Sequence, residues 1–115
     1  MELFVNTEEN FCIIKVRGEL DASSSISLDQ TIERVVADGA KNILVDCSEL
    51  NYISSAGLGV FMSYLKEFEE SNINLVLFEV SDKVKGVFEI LGLDELIHIT
   101  PTKEEAKNMA NASTS

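Results

Sequence analysis

The sequence predicts an α/β fold, a mixed β-sheet with helices packed on it, in the order β-β-α-β-α-β-α-β-α. Three observations predict it. Short β-rich runs alternate with apolar stripes at helical spacing. One run, Ile43-Leu44-Val45, is apolar without a polar alternate, as in a strand covered on both faces. The strands after the first two are separated by helix-length stretches, which implies parallel crossovers.

The elements follow in order. Residues 2–6 and 11–17 are strand-like and flank Thr7-Glu8-Glu9-Asn10, which suggests a hairpin. In the second run Cys12, Ile14 and Val16 alternate with Ile13, Lys15 and Arg17, the period of a half-buried strand. Leu28, Ile32, Val35 and Val36 form one helix face, and Gly39 is placed to end it. After strand 43–47, a stripe of Leu58, Phe61, Met62, Leu65 and Phe68 marks helix 56–69, closed by the polar residues from Ser71 to Asn74. Ile73 to Val80 reads as a third long strand. Val84, Val87, Phe88 and Leu91 mark a helix closed near Gly92. Ile97-His98-Ile99 reads as an edge strand, and Glu104 to Met109 as a last, weakly amphipathic helix. Residues 1–110 are expected to form one domain and 111–115 a frayed terminus.

With 115 residues, of which 45% are hydrophobic, the chain can bury a core without disulfides or metal. Its formal net charge of -11 opposes binding to nucleic acid or to an anionic membrane and favours a partner with a basic face. No apolar run approaches the roughly 18–20 residues of a transmembrane helix, and the first residues lack a secretory pattern; a cytoplasmic location is expected. Cys12 and Cys47 lie in apolar strands, where buried inert thiols are expected, and two cysteines with a lone His98 have no metal-ligand spacing. No cofactor is expected.

Chemistry concentrates in Asn51-Tyr52-Ile53-Ser54-Ser55-Ala56-Gly57-Leu58-Gly59-Val60. Two serines stand in capping position before a helix whose first turn holds only small residues, Ala56 and Gly57. Free N–H groups at a helix start favour an anion. Plain N-capping explains most such serine pairs and carries the better odds from spacing alone. The segment is neither a Walker A loop, since no Lys follows Gly59, nor a G-x-S-x-G hydrolase elbow. Asp21, in Gly18-Glu19-Leu20-Asp21, is expected to cap the first helix or accept hydrogen bonds from Ser23 and Ser24. Asp46 is expected at a strand end on the ligand-binding rim or simply in solvent. A hydrolase using Ser55 would depend entirely on His98, whose edge-strand context gives no support.

Four stretches together resemble the bacterial anti-sigma-factor antagonists, single-domain members of the STAS family. They are Gly18-Glu19-Leu20-Asp21, Ile43-Leu44-Val45-Asp46, Tyr52-Ile53-Ser54-Ser55-Ala56-Gly57-Leu58-Gly59 and Phe88-Glu89-Ile90-Leu91-Gly92-Leu93, in the family's order and over nearly the whole chain. The family's usual form of the third is an aspartate, the phosphorylated serine, a second Ser or Thr, then Gly-Leu-Gly. The resemblance implies that Ser55 is the phosphorylated residue. Ser54 replaces the usual aspartate, and Ala56 a frequent Ser or Thr.

The resemblance also implies a partner switch. The unphosphorylated chain would bind an anti-sigma factor that is also a GHKL-type serine kinase, freeing the sigma factor. Phosphorylation of Ser55 with ATP and Mg2+ would release it, and a PP2C-type phosphatase would reset it. The chain would be a binding module rather than an enzyme, monomeric when free. The expected partner-binding residues are Asp21, Ser23, Ser54, Ser55, Ala56, Gly57, Leu58, Ser63 and Glu67. The surface should comprise loop 52–55, the turn from Asp21 to Ser25 and the exposed side of helix 56–69, where Lys66 and Glu70 also point outward. A fixed, unphosphorylated STAS subunit of a scaffold or lipid-transport assembly is the alternative.

Overall fold

The computed structural model describes the backbone of residues 1–114 and the side chains of residues 1–112. Its elements are β1 (Glu2–Glu8), β2 (Phe11–Leu20), α1 (Ala22–Ala37), β3 (Asn42–Ile53), α2 (Ser55–Glu70), β4 (Asn74–Phe78), α3 (Asp82–Ile90), a 3-10 turn (Leu93–Glu95), β5 (His98–Thr100) and α4 (Lys103–Thr114). The α/β class and the β-β-α-β-α-β-α-β-α order are those the sequence predicts. One sheet holds the strands in the order β1-β2-β3-β4-β5, with the β1–β2 hairpin antiparallel and the remaining pairs parallel.

Consecutive right-handed crossovers between neighbouring strands put α1, α2 and α3 on one face. There Leu28, Ile32, Phe61, Tyr64, Phe68, Val84 and Phe88 pack on Ile14, Val16, Ile43, Val45 and Leu77. The second face has a smaller core, in which Phe11, Ile13, Leu44, Val76 and Phe78 lie under Ala106 and Ala110 of α4. Two alanines let that helix lie close to the strands. Asn74 Nδ2 donates to Asn42 Oδ1 (2.8 Å) and to the Ala110 carbonyl (3.3 Å), so the buried amides at the sheet end are satisfied. Lys103 and Lys107 pair with Glu8 at 2.9 and 3.1 Å and hold Glu8 below the ordinary carboxylate range, chiefly through these hydrogen bonds.

Several boundaries differ from the sequence expectation. β2 is covered on both faces in its first half, because α4 buries Phe11 and Ile13. Cys47 is buried, whereas Cys12, in the hairpin strand β2 opposite Thr7, is only half-buried. The strand expected over 43–47 runs to Ile53, so Asp46 lies within β3, seven residues or roughly 20 Å from its end. The Asp46 carboxylate accepts the Ser48 N–H (3.0 Å) and is not on the rim. β4 stops at Phe78 rather than Val80, because Glu79 turns into the left-handed region (φ 54°) and Ser81 caps α3. β5 is the expected edge strand, shifted by one residue to His98–Thr100. α4 extends past Met109 to Thr114; of the terminus expected to fray, Ser115 lies outside the described residues.

Candidate functional site

The site forms where two parallel strands end together. Glu19 pairs with Tyr52 and Leu20 with Ile53, after bulges that bring the two chains level. The Ser54 N–H donates to the Leu20 carbonyl at 2.8 Å, tying the start of α2 to the end of β2. β4 ends at the level of Asp46, so the β4–α3 connection does not reach this rim. Two helix N-termini therefore share it, those of α1 and α2.

Asp21 is the N-cap of α1, as its position before a Ser-rich turn predicts. Its carboxylate accepts the Ser24 N–H at 2.9 Å and the Ser23 hydroxyl at 2.9 Å, and its own N–H donates to Ser24 Oγ, a reciprocal capping box. These bonds, the Ser24 N–H foremost, lower the carboxyl to about 2. Asp21 is thus anionic and fixed in direction. α1 begins at Ala22, so Ser25 is a buried helical residue whose hydroxyl donates to the Asp21 carbonyl (2.6 Å) rather than part of an exposed turn.

The two serines have different jobs. Ser54 is the N-cap of α2, with an extended backbone and a half-buried side chain whose oxygen accepts the Gly57 N–H at 3.2 Å. Ser55 is the first helical residue, one position earlier than the pattern suggests, and it is exposed. Its hydroxyl has no hydrogen-bond partner among the described residues. The N–H groups of Ser55 and Ala56 likewise meet no protein acceptor there, as expected for the first turn of a helix. An oxygen nucleophile is presented to solvent beside two free donors and the positive end of a 16-residue helix. Serine and aspartate cap about equally well. Ser54 in place of the family's usual aspartate therefore keeps the cap and removes one negative charge from the rim.

Gly57 acts otherwise than by leaving the helix mouth open. It is buried, and a Cβ there would meet Ile53 Cγ1 at 2.9 Å, Leu20 Cβ at 3.1 Å and the Leu20 carbonyl at 3.3 Å. Its missing side chain lets α2 dock on the strand ends. Leu58, 5% exposed, belongs to the core. These two expected contact residues shape the rim from beneath. Ser23, Ser55, Ala56, Ser63, Lys66, Glu67 and Glu70 are exposed, so the outer side of α2 and the rim form one continuous surface.

Sequence reasoning missed two residues here. Ile26, 61% exposed on α1, adds apolar area to that of Tyr52, which belongs to the expected 52–55 surface and is 44% exposed at the end of β3; nothing but its exposure distinguishes Ile26 from a core residue. Buried Tyr64 ties α2 to α1, its hydroxyl donating to Asp29 Oδ1 at 2.7 Å. Burial, then Asp29, raises the Tyr64 phenol above its usual value. His98 is exposed on β5 and pairs with Val76 of β4, which in turn pairs with Leu44 of β3, ten residues before Ser54. That is on the order of 25–30 Å from Ser55, so the two cannot form a hydrolytic pair. No group of three metal-ligating side chains occurs among the described residues, and no helix there is long and apolar enough to cross a membrane.

A STAS domain model matches residues 3–106. The chain belongs to the STAS domain family. Within it, the chain falls among the anti-sigma-factor antagonists. The anti-sigma-B factor antagonist of Staphylococcus aureus strain NCTC 8325 is 32% identical over 104 residues, covering 90% of this chain and 96% of that protein. The STAS architecture is also that of the solved anti-sigma factor antagonist SpoIIAA in its unphosphorylated form, with a TM-score of 0.80 at 23% identity, covering 96% of this chain and 97% of the other. The phosphorylated form of the Bacillus cell fate determinant SpoIIAA matches with a TM-score of 0.70 at 23% identity, covering 94% and 98%. These likenesses establish the fold.

Proposed function

We propose that this STAS protein is an anti-sigma-factor antagonist switched by phosphorylation of Ser55. The unphosphorylated rim binds an anti-sigma factor of the GHKL serine-kinase class and so frees a sigma factor. The kinase transfers the γ-phosphoryl group of ATP to Ser55 Oγ and the complex separates. A PP2C-type phosphatase hydrolyses the phosphoserine and restores the binding form. The chain acts as substrate and ligand of these enzymes, in the cytoplasm and as a monomer when free.

One observation carries the assignment to Ser55. Its hydroxyl is exposed and unengaged at the first position of α2, whereas the adjacent Ser54 hydroxyl is committed to the Gly57 N–H. The same position explains how a phosphate could switch binding without unfolding the domain. Phosphoserine adds about −1.5 to −2 charge, which the helix N-terminus and the free N–H groups of Ser55 and Ala56 favour by roughly 0.3–1 kcal/mol. Closing an interface over it requires desolvating that charge. Weakening binding by about 2.7 kcal/mol reduces affinity a hundredfold.

Incubation with the kinase and ATP, followed by peptide mass spectrometry, tests the site. Phosphate is expected on Ser55 and absent from Ser55→Ala; phosphate on Ser54 overturns the assignment. In parallel, Ser55→Asp should leave the melting temperature within about 2 °C of wild type, since an acidic first-turn residue is neutral or slightly stabilising. Calorimetric titration should show weaker kinase binding, and equal affinity would contradict the switch.

A further inference from the structure

The fourth sequence stretch shared with the family, Phe88 to Leu93, plays no part at the Ser55 rim. Phe88 is fully buried, but its neighbours are turned outward: Ile90 is 86% exposed and Leu91 58%. Gly92, at φ 71°, reverses the chain into the 3-10 turn, after which Leu96 is 61% exposed. Three large aliphatic side chains in seven residues thus face solvent around one helix end. Solitary exposed apolar residues are ordinary; a cluster this dense marks a contact surface.

Leu96 is also the lip of a groove of about 680 Å3 between the end of α2 and the segment leading into β5. Leu65, Phe68, Ile73, Leu75 and Ile97 form its apolar floor and walls. α2 runs back from the rim, and α3 runs back from the end of β4, which already stops short of it, so the groove and the end of α3 lie at the opposite pole. The 16 residues of α2 separate this pole from Ser55 by about 24 Å.

The charge around the groove identifies what fits it. Glu69 lines it, and Glu89, Asp94 and Glu95 flank the aliphatic cluster, all exposed. From Gly86 to Thr102 the sequence carries three acids and no Lys or Arg. None of these four carboxylates makes a salt bridge among the described residues. A second copy of the chain would set acids against acids with a net charge of -11 on each side. The geometry points to a second docking surface, at the pole opposite Ser55, for an amphipathic helix of a partner protein that carries aliphatic anchors flanked by Lys or Arg. The aliphatic side chains would enter the groove and cover Ile90, Leu91 and Leu96, while the basic flanks meet Glu69, Glu89, Asp94 and Glu95. Because this pole shares no residue with the rim, phosphorylation of Ser55 leaves a partner bound here in place.

The test uses the whole isotope-labelled chain and three synthetic 18-residue peptides. One carries a Leu stripe at i, i+3, i+4 and i+7 on a Lys background, one the same stripe on a Glu background, and one Lys with Ser in place of Leu. Amide shift mapping should give saturable changes at residues 65–75 and 89–98 with the Leu/Lys peptide alone. Ile90→Ser combined with Leu96→Ser should weaken that binding at least tenfold, while Ser55→Asp leaves it within twofold. Ile90→Ser alone, at the most exposed of these positions, serves if the double variant fails to fold. The proposal is overturned if the changes centre on residues 21–25 and 54–57, if the Lys/Ser peptide binds equally well, or if the variants bind as wild type. Sedimentation that reveals a dimer abolished by Ile90→Ser would also overturn it, because the surface would then pair with itself.

Discussion

Gly57→Ala tests how the chain positions its serines. The substitution adds one methyl group at the third helical position of α2. Helix propensity alone favours Ala over Gly by about 1 kcal/mol. Against that stand three contacts at 2.9, 3.1 and 3.3 Å. Ile53 and Leu20 are 4% and 0% exposed, so neither side chain can swing into solvent. The third contact is the Leu20 carbonyl, already held by the Ser54 N–H. Overpacking of this kind costs about 1–3 kcal/mol. The expected net effect is a loss of up to about 2 kcal/mol, centred on about 1 kcal/mol, which is roughly 4–8 °C in melting temperature for a chain near this length. Gly59→Ala is the internal control, since a Cβ there meets nothing within 4 Å and the backbone is helical. It should stabilise by about 0.5–1 kcal/mol. Urea melts of both variants give the difference directly. The initial rate of Ser55 phosphorylation should fall in Gly57→Ala alone, because α2 must back away from Leu20. A Gly57→Ala protein as stable as Gly59→Ala would refute the close-docking argument.

Tyr64→Phe should cost about 1–2 kcal/mol in a urea melt, because it removes the hydrogen bond to Asp29 while keeping the ring; an unchanged midpoint would show that α1 and α2 are held by packing alone. Asp21 titrates at about 2 in the folded chain against an ordinary 3.8, so its capping contribution is complete above about pH 4 and is lost as pH falls through about 2. The stability gap between wild type and Asp21→Asn should therefore close over that window, and a gap that persists at pH 2 would contradict the assignment. On the surface of α2, Glu67→Lys should slow association with the kinase in stopped-flow at low salt and less so at high salt, whereas Glu104→Lys on α4 should have little effect. Equal slowing by both would mean that only diffuse charge attracts the partner.

Periodicity was enough for the element order, because alternating strands and apolar helix stripes leave few topologies open. It fails where tertiary cover decides burial. Ile13 and Phe11 read as one side of a half-exposed strand until α4 folds over them, and that helix shows only a faint stripe because its buried residues are alanines. β3 reads as five residues because its second half, Ser48 to Tyr52, is mostly polar, yet pairing with β2 carries it to Ile53. At the site, Asp21 and the Ser-Ser pair were legible from capping chemistry. Which serine does the capping was not, since that depends on where the Leu20 carbonyl fixes the chain. Gly57 looks like an open helix mouth in the sequence and is a close approach in space.

The thin cover supplied by α4 bears on how the chain is made. Phe11, Ile13, Leu44, Val76 and Phe78 form a strip drawn from residues 11–78, and residues beyond Thr102 close it. During synthesis the hairpin and the first three parallel strands emerge and can pair while that strip still faces water. Until the last helix leaves the ribosome, the growing domain exposes an apolar sheet face of the kind that chaperones bind and that stacks on its neighbours. The pairing of Lys103 and Lys107 with Glu8 then ties α4 to β1, so closure of the sheet face waits on residues made about a hundred positions after the strand that it clamps.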